Sequence, residues 1–106
     1  SKVSLEVYSD KVPLIKGAVE FANMGMIPMG AYSNKSYIED YIQVGANVEE
    51  AIEDLLYDPQ TSGGLLLAIH EDDVEKALER LSTGIDTQFA VVGKVINKKD
   101  EAIYIY

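Results

Sequence analysis

Leu56-Tyr57-Asp58-Pro59-Gln60-Thr61-Ser62-Gly63-Gly64-Leu65-Leu66-Leu67-Ala68-Ile69 is the stretch on which the reading of this chain turns. It sets the polar residues Asp58, Gln60, Thr61 and Ser62 and two adjacent glycines, Gly63 and Gly64, directly before an uninterrupted apolar run. Polar groups crowded against a buried strand must be hydrogen-bonded or engaged with a ligand, because leaving them dry and unpaired is costly. Paired glycines let a backbone turn sharply or approach another group closely. The run at 65–69 is apolar at every position, so both faces of an extended strand are apolar. That predicts a central strand, covered on both sides.

Working outward, the residues on either side read as helices. Upstream, Asn47-Val48-Glu49-Glu50 resembles a capping box, and Ala51, Ile52, Leu55 and Leu56 supply the buried face of a helix. Downstream, Asp72-Asp73-Val74-Glu75 looks like a helix start. Val74, Ala77, Leu78 and Leu81 follow at i, i+3, i+4 and i+7, the cleanest helical stripe in the chain, and Gly84 closes it. The loop at 58–64 therefore joins a helix to a strand. As a structural device, Asp58 and Thr61 tie down a tight turn through bonds to the backbone. As a ligand device, amides near the glycines hold an anion, with Asp58 near a metal. The residues alone favour the structural device, and the segment lacks the Lys of a phosphate-gripping Walker loop.

Further out, Val3, Leu5 and Val7 alternate with Ser4, Glu6 and Tyr8, the period of a half-buried strand. Pro13 suits a first helical turn, and Leu14, Ile15, Ala18, Val19 and Ala22 line one face, so a helix is predicted over 13–24 with Gly25 as its C-terminal cap. Residues 26–34 read as a loop containing Pro28 and Gly30. A short helix follows, capped by Ser33 or Asn34, with Tyr37/Tyr41 and Ile38/Ile42 paired along it and Gly45 at its end. Residues 89–96 are strand-like with Gly93 as a bulge, and Ile103 and Ile105 mark a last strand. The final two strands are expected to form an antiparallel hairpin. The fold class is α+β: one mixed or antiparallel sheet with helices mainly on one face, and residues 1–106 as a single domain.

Composition narrows the function. The 106 residues have room for one small core, and no window approaches the ~18 consecutive apolar residues of a membrane span. No signal-peptide pattern opens the chain, so the cytoplasm is the default location. The absence of Met before Ser1 suggests a processed end or a fragment of something longer. There is no cysteine, which excludes disulfides, thiolate metal sites and a cysteine nucleophile within these residues. A formal net charge of −9 disfavours nucleic acid, since phosphate neutralisation needs clustered Lys and Arg. His70, the single histidine, reads as a surface residue beside a helix N-terminus rather than a catalytic base. The acidic pairs Glu49/Glu50 and Asp72/Asp73 suit first helical turns rather than metal ligation. Asn34 and Lys35, in the second polar loop, are candidates for a phosphate or subunit contact; a helix cap and a solvated lysine are the simpler reading. No residue presents itself as catalytic or metal-ligating.

The motifs also resemble a known family. Asp58-Pro59-Gln60-Thr61-Ser62-Gly63-Gly64-Leu65-Leu66 is similar to the hallmark of the C-terminal domain of selenophosphate synthetases (selenide, water dikinases), in the aminoimidazole ribonucleotide synthetase-like superfamily. Val12-Pro13-Leu14, Gly25-Met26-Ile27-Pro28, Gly30-Ala31-Tyr32 with Asn34, and Val92-Gly93-Lys94-Val95 match further family segments in the same order. Met29 and Ser33 depart from the pattern, standing where the family has glycine and arginine; the lost arginine removes a cation suited to phosphate. The resemblance implies a homodimeric enzyme that uses ATP, Mg2+ and selenide to make selenophosphate, releasing AMP and phosphate. It also implies that the reactive Cys or selenocysteine, its partner Lys and most Mg2+-binding aspartates lie in an N-terminal region absent from these residues. On this reading the chain is part of a C-terminal domain, cut short on its N-terminal side, and inactive alone. A related synthetase or maturation protein of the same superfamily, and a non-catalytic binding or dimerisation module, are the alternatives.

Overall fold

The computed structural model describes residues 2–106. Its elements run in the order β1 (Val3–Val7), α1 (Ala18–Asn23), α2 (Met29–Ile38), β2 (Ile42–Val44), α3 (Glu50–Leu56), α4 (Val74–Gly84), β3 (Gly93–Asn97) and β4 (Ile103–Ile105). The strands form one mixed sheet in the order β2-β4-β1-β3, so the α+β class holds. β1 pairs antiparallel with β3, and β4 runs parallel to both β1 and β2.

The registers sort the side chains cleanly. Leu5 pairs with Val95 and Ile103, Val7 with Ile105, and Ile42 and Val44 with Ile103 and Ile105. Paired residues share a face, so these aliphatic side chains form one apolar surface, while Glu6, Lys94, Gln43 and Tyr104 share the other. On the polar face Glu6 takes Lys94 at 3.1 Å and Lys99 at 3.6 Å, and the Tyr8 hydroxyl donates to it at 3.3 Å. The Lys94 ammonium holds the Glu6 carboxyl below its usual range.

The expected hairpin of the last two strands is not formed: β1 lies between them. The connection from β3 to β4 wraps around the start of β1 instead. Ser4, fully buried, is the pin: its Oγ donates to the Glu101 carbonyl at 2.6 Å and accepts from the Lys99 amide at 3.0 Å. The Leu5 amide donates to Ala102 O in the same turn. Both edges of β1 are thereby used. Gly93 is not a bulge; it pairs with Val7 in regular register. A Cβ on it would collide with the Glu6 carbonyl oxygen, so only glycine allows the two strands to close there.

Other boundaries also move. The helix expected over 13–24 is confined to Ala18–Asn23, because Gly17 takes a left-handed φ of 88° immediately before it and breaks continuity with Pro13. Gly25, at φ 77°, follows the helix as expected of a C-terminal cap. The loop expected over 26–34 is largely helix, since α2 begins directly after Pro28, and Ser33 and Asn34 lie inside it rather than capping it. Helical structure stops at a single tight turn, and the β-branched Ile42 and Val44 join the sheet as β2 instead of extending the helix. The strand predicted over 89–96 is shortened to Gly93–Asn97.

The largest correction concerns residues 65–69. They lie in no strand of the sheet, whose centre is β4 and β1, and Leu65 is 90% exposed. A two-sided apolar run becomes a central strand only where strands flank it and layers cover it. Among the described residues none does.

Candidate functional site

The two polar loops singled out in the sequence come together where α2 crosses the end of α3. Pro59 explains why α3 ends there: its ring bars helical geometry at Asp58 and it brings no amide to continue the ladder. The helix end leaves backbone carbonyls without partners. Asn34, from the middle of α2, supplies one, its Nδ2 donating to the Tyr57 carbonyl at 2.9 Å.

Lys35 lies beside it. Its ammonium reaches Glu53 at 2.9 Å and Asp54 at 3.6 Å, both on α3, and sits 5.7 Å from the centre of the Tyr57 ring. Tyr57 is buried, and its hydroxyl donates to Glu53 at 3.4 Å. The hydrogen bond to Glu53 raises the Lys35 pKa above that of an ordinary lysine, against a smaller opposing cost of burial. Burial, reinforced by the Glu53 charge, raises the Tyr57 phenol as well. Lys35 is thus a cation already met by two carboxylates, and a phosphate arriving there would meet Glu53 and Asp54 too.

Gly30, one turn earlier on α2, faces Pro59. A Cβ on Gly30 would come within 2.9 Å of the proline ring, so the helix and the loop meet backbone to ring. Asn34, Tyr37, Ile38, Leu56, Tyr57 and Asp58 enclose an open cavity of about 230 Å3 at this crossing. Asp58 is half-buried at its edge, and its Oδ2 accepts from Gln60 Nε2 at 3.4 Å.

Beyond Pro59 the loop loses contact with the body. Residues 59–73 are all exposed. Among the described residues no hydrogen bond ties down the hydroxyl of Thr61 or Ser62. Gly63 and Gly64 do not adopt a left-handed φ, and a Cβ on Gly64 would touch nothing. His70 is exposed, its Nδ1 accepting from the Asp72 amide at 3.4 Å as the cap of the turn that leads into α4.

Sequence reasoning passed over Glu53, Asp54 and Tyr57. The four-residue spacing of Glu53 and Tyr57 is visible in the sequence, but what gives it meaning is Lys35 arriving from another helix. Among the described residues no three carboxylates or imidazoles gather in a way that could hold a metal ion. The donor set of this site, whose Glu53 and Asp54 carboxylates are already met by Lys35, does not fit Mg2+. Among the described residues, no helix is long and apolar enough to cross a membrane.

Comparison with known proteins sharpens what this corner belongs to. No family model matches the chain. Selenide, water dikinase of Clostridium botulinum (strain Eklund 17B) is 42% identical over 106 residues, covering 99% of this chain and 30% of that protein. The selenide, water dikinases of Clostridioides difficile (strain 630) and Caldanaerobacter subterraneus are 40% and 41% identical over 105 residues, with the same coverage. The chain therefore spans about 30% of the length of the curated relatives it matches.

Proposed function

We propose that this chain, homologous over 99% of its length to selenide, water dikinases, is the C-terminal portion of a selenophosphate synthetase. The longer enzyme makes selenophosphate from selenide, ATP and water, releasing AMP and phosphate, with Mg2+ as its metal. Its reacting groups lie outside these residues: the chain has no cysteine and gathers no metal-holding carboxylates among the described residues. The enzyme works in the cytoplasm as a homodimer. The observation that carries the reading is the match at about 40% identity over 99% of the chain.

Within that enzyme the α2–α3 corner serves as a rigid mount. Asn34 and the Lys35–Glu53–Asp54 group fix the end of α3, and Gly30 against Pro59 sets the direction in which residues 60–64 leave it. Those residues then project from a firm base, which suits a loop that meets substrate or another part of the enzyme. Asp58 is the hinge between the mount and the projecting segment.

The reading is tested in cells that lack selenophosphate synthesis. The longer gene containing this sequence, supplied on a plasmid, is expected to restore incorporation of radioactive selenium into protein and tRNA, whereas the 106 residues alone do not. No restoration by the longer gene, at normal protein levels, refutes it.

A further inference from the structure

The cavity where α2 crosses the end of α3 has a lining whose charge is out of balance. Glu53, Asp54 and Asp58 crowd the C-terminal end of α3, and its last turn contains no basic residue. A helix carries its negative pole at that end, so the sequence places acid where a cation is favoured. Lys35 answers Glu53 and Asp54, at 2.9 and 3.6 Å. Asp58 forms no ion pair among the described residues. Its Oδ2 takes the Gln60 side-chain amide at 3.4 Å, a long contact, and it lines the cavity together with Tyr37 and Tyr57. Tyr37 is 83% exposed, so its ring is free to stack against another group. Departures from local charge rules of this kind gather at functional sites.

The chemistry of the lining selects what it can hold. Its volume of about 230 Å3 is below the ~300–1,000 Å3 of sites that take cofactors or drug-sized molecules, so a group the size of one side chain fits. An anion there is repelled by Asp58 and the α3 carboxylates. An apolar group leaves the Asp58 carboxylate dry and unpaired. A metal ion needs a ligand set that the described residues do not gather. We propose that the cavity at the α2–α3 corner binds a guanidinium group, stacked on a tyrosine ring and forked onto the Asp58 carboxylate. A guanidinium suits both contacts: its fixed fork of N–H donors matches a carboxylate, and its flat, weakly hydrated face stacks on an aromatic ring. A lysine ammonium is a compact, strongly hydrated point charge and matches neither as well. Asn34 lines the same cavity, and with its Nδ2 held by the Tyr57 carbonyl its side-chain oxygen remains to accept a further N–H. The guanidinium arrives on a small free compound or on an exposed arginine of a partner, and the formal net charge of −9 draws either. The inference uses only the α2–α3 corner and does not depend on the enzymatic reading.

Isothermal titration calorimetry on the full-length protein tests it, with N-acetyl-arginine amide as the probe and N-acetyl-citrulline amide, alike in shape but uncharged, as its counterpart. The arginine probe is expected to bind at least about tenfold more tightly, a difference within reach of one charge-assisted hydrogen-bonded pair. Asp58→Asn and Tyr37→Ala are each expected to weaken arginine binding at least about threefold. The exposed Tyr37 keeps the test open should Asp58→Asn disturb the loop. Equal affinity for the two probes, or arginine binding unchanged in both variants, overturns the proposal. Two further probes separate the sources. n-Propylguanidine binding as tightly as a blocked Gly-Arg-Gly tripeptide assigns a free compound, tighter binding of the tripeptide assigns a partner's arginine, and failure of both overturns the site. No ATP or selenide enters the measurement, so its failure and the failure of the enzymatic reading are separate results.

Discussion

Asn34 and Lys35 are neighbours in sequence with separate tasks at one corner. The Asn34 amide caps the end of α3 by donating to the Tyr57 carbonyl, and Lys35 neutralises the carboxylates that α3 presents beside it. The linkage has a definite sign. Lys35 and Tyr57 both have raised pKa values in the folded state, so each contributes stability that is complete below its ordinary value, about pH 10 for both, and is lost as the pH rises through the raised value. Unfolding followed by circular dichroism is therefore expected to show a midpoint that drops above about pH 10, with the drop smaller in Lys35→Met. An identical alkaline drop in both proteins contradicts the assignment. At this scale much was legible: the sequence pointed to Asn34, Lys35 and residues 58–64 as two places worth inspecting. That they are one place was not legible, because it depends on how α2 crosses α3.

Elements were legible where periodicity and local stops agreed. β1 has clean alternation, and α4 combines a full helical stripe with an acidic start. Local pattern says less where a stop is hidden or a pairing is nonlocal. Gly17 shortened α1 through its backbone conformation, and α2 began earlier than the turn residues around Pro28 suggested. The position of β1 between β3 and β4 is set by Ser4 holding the turn at Lys99 and Glu101, contacts more than 90 residues apart in sequence that no local pattern records. Gly93 shows what that arrangement demands. Gly93→Val drives a side chain into the Glu6 carbonyl, and is expected to lower the stability of the chain by about 1–3 kcal/mol or more in urea unfolding. Gly64→Ala, where a Cβ meets nothing, serves as the control and is expected to stay within about 0.5 kcal/mol of the parent. Equal effects at the two glycines contradict the strand register.

Over the whole molecule, the motif at 58–64 identified kinship better than it described surroundings. In sequence it reads as a turn feeding a buried central strand, yet residues 65–69 form no strand and are uncovered, and the polar loop projects from the α2–α3 corner. Sequence pattern reports what a segment is suited to become, and residues 65–69 are suited to a sheet interior. Whether they are enclosed depends on chain that can flank them. At the α2–α3 corner itself, Lys35 is committed to the carboxylates of Glu53 and Asp54. The most direct measurement is AMP formation from ATP with and without selenide, by the longer protein and by the 106 residues alone. The account predicts selenide-dependent AMP from the longer protein and none above a blank from the 106 residues. Selenide-dependent AMP from the short chain, or its absence from an intact longer protein, would contradict it.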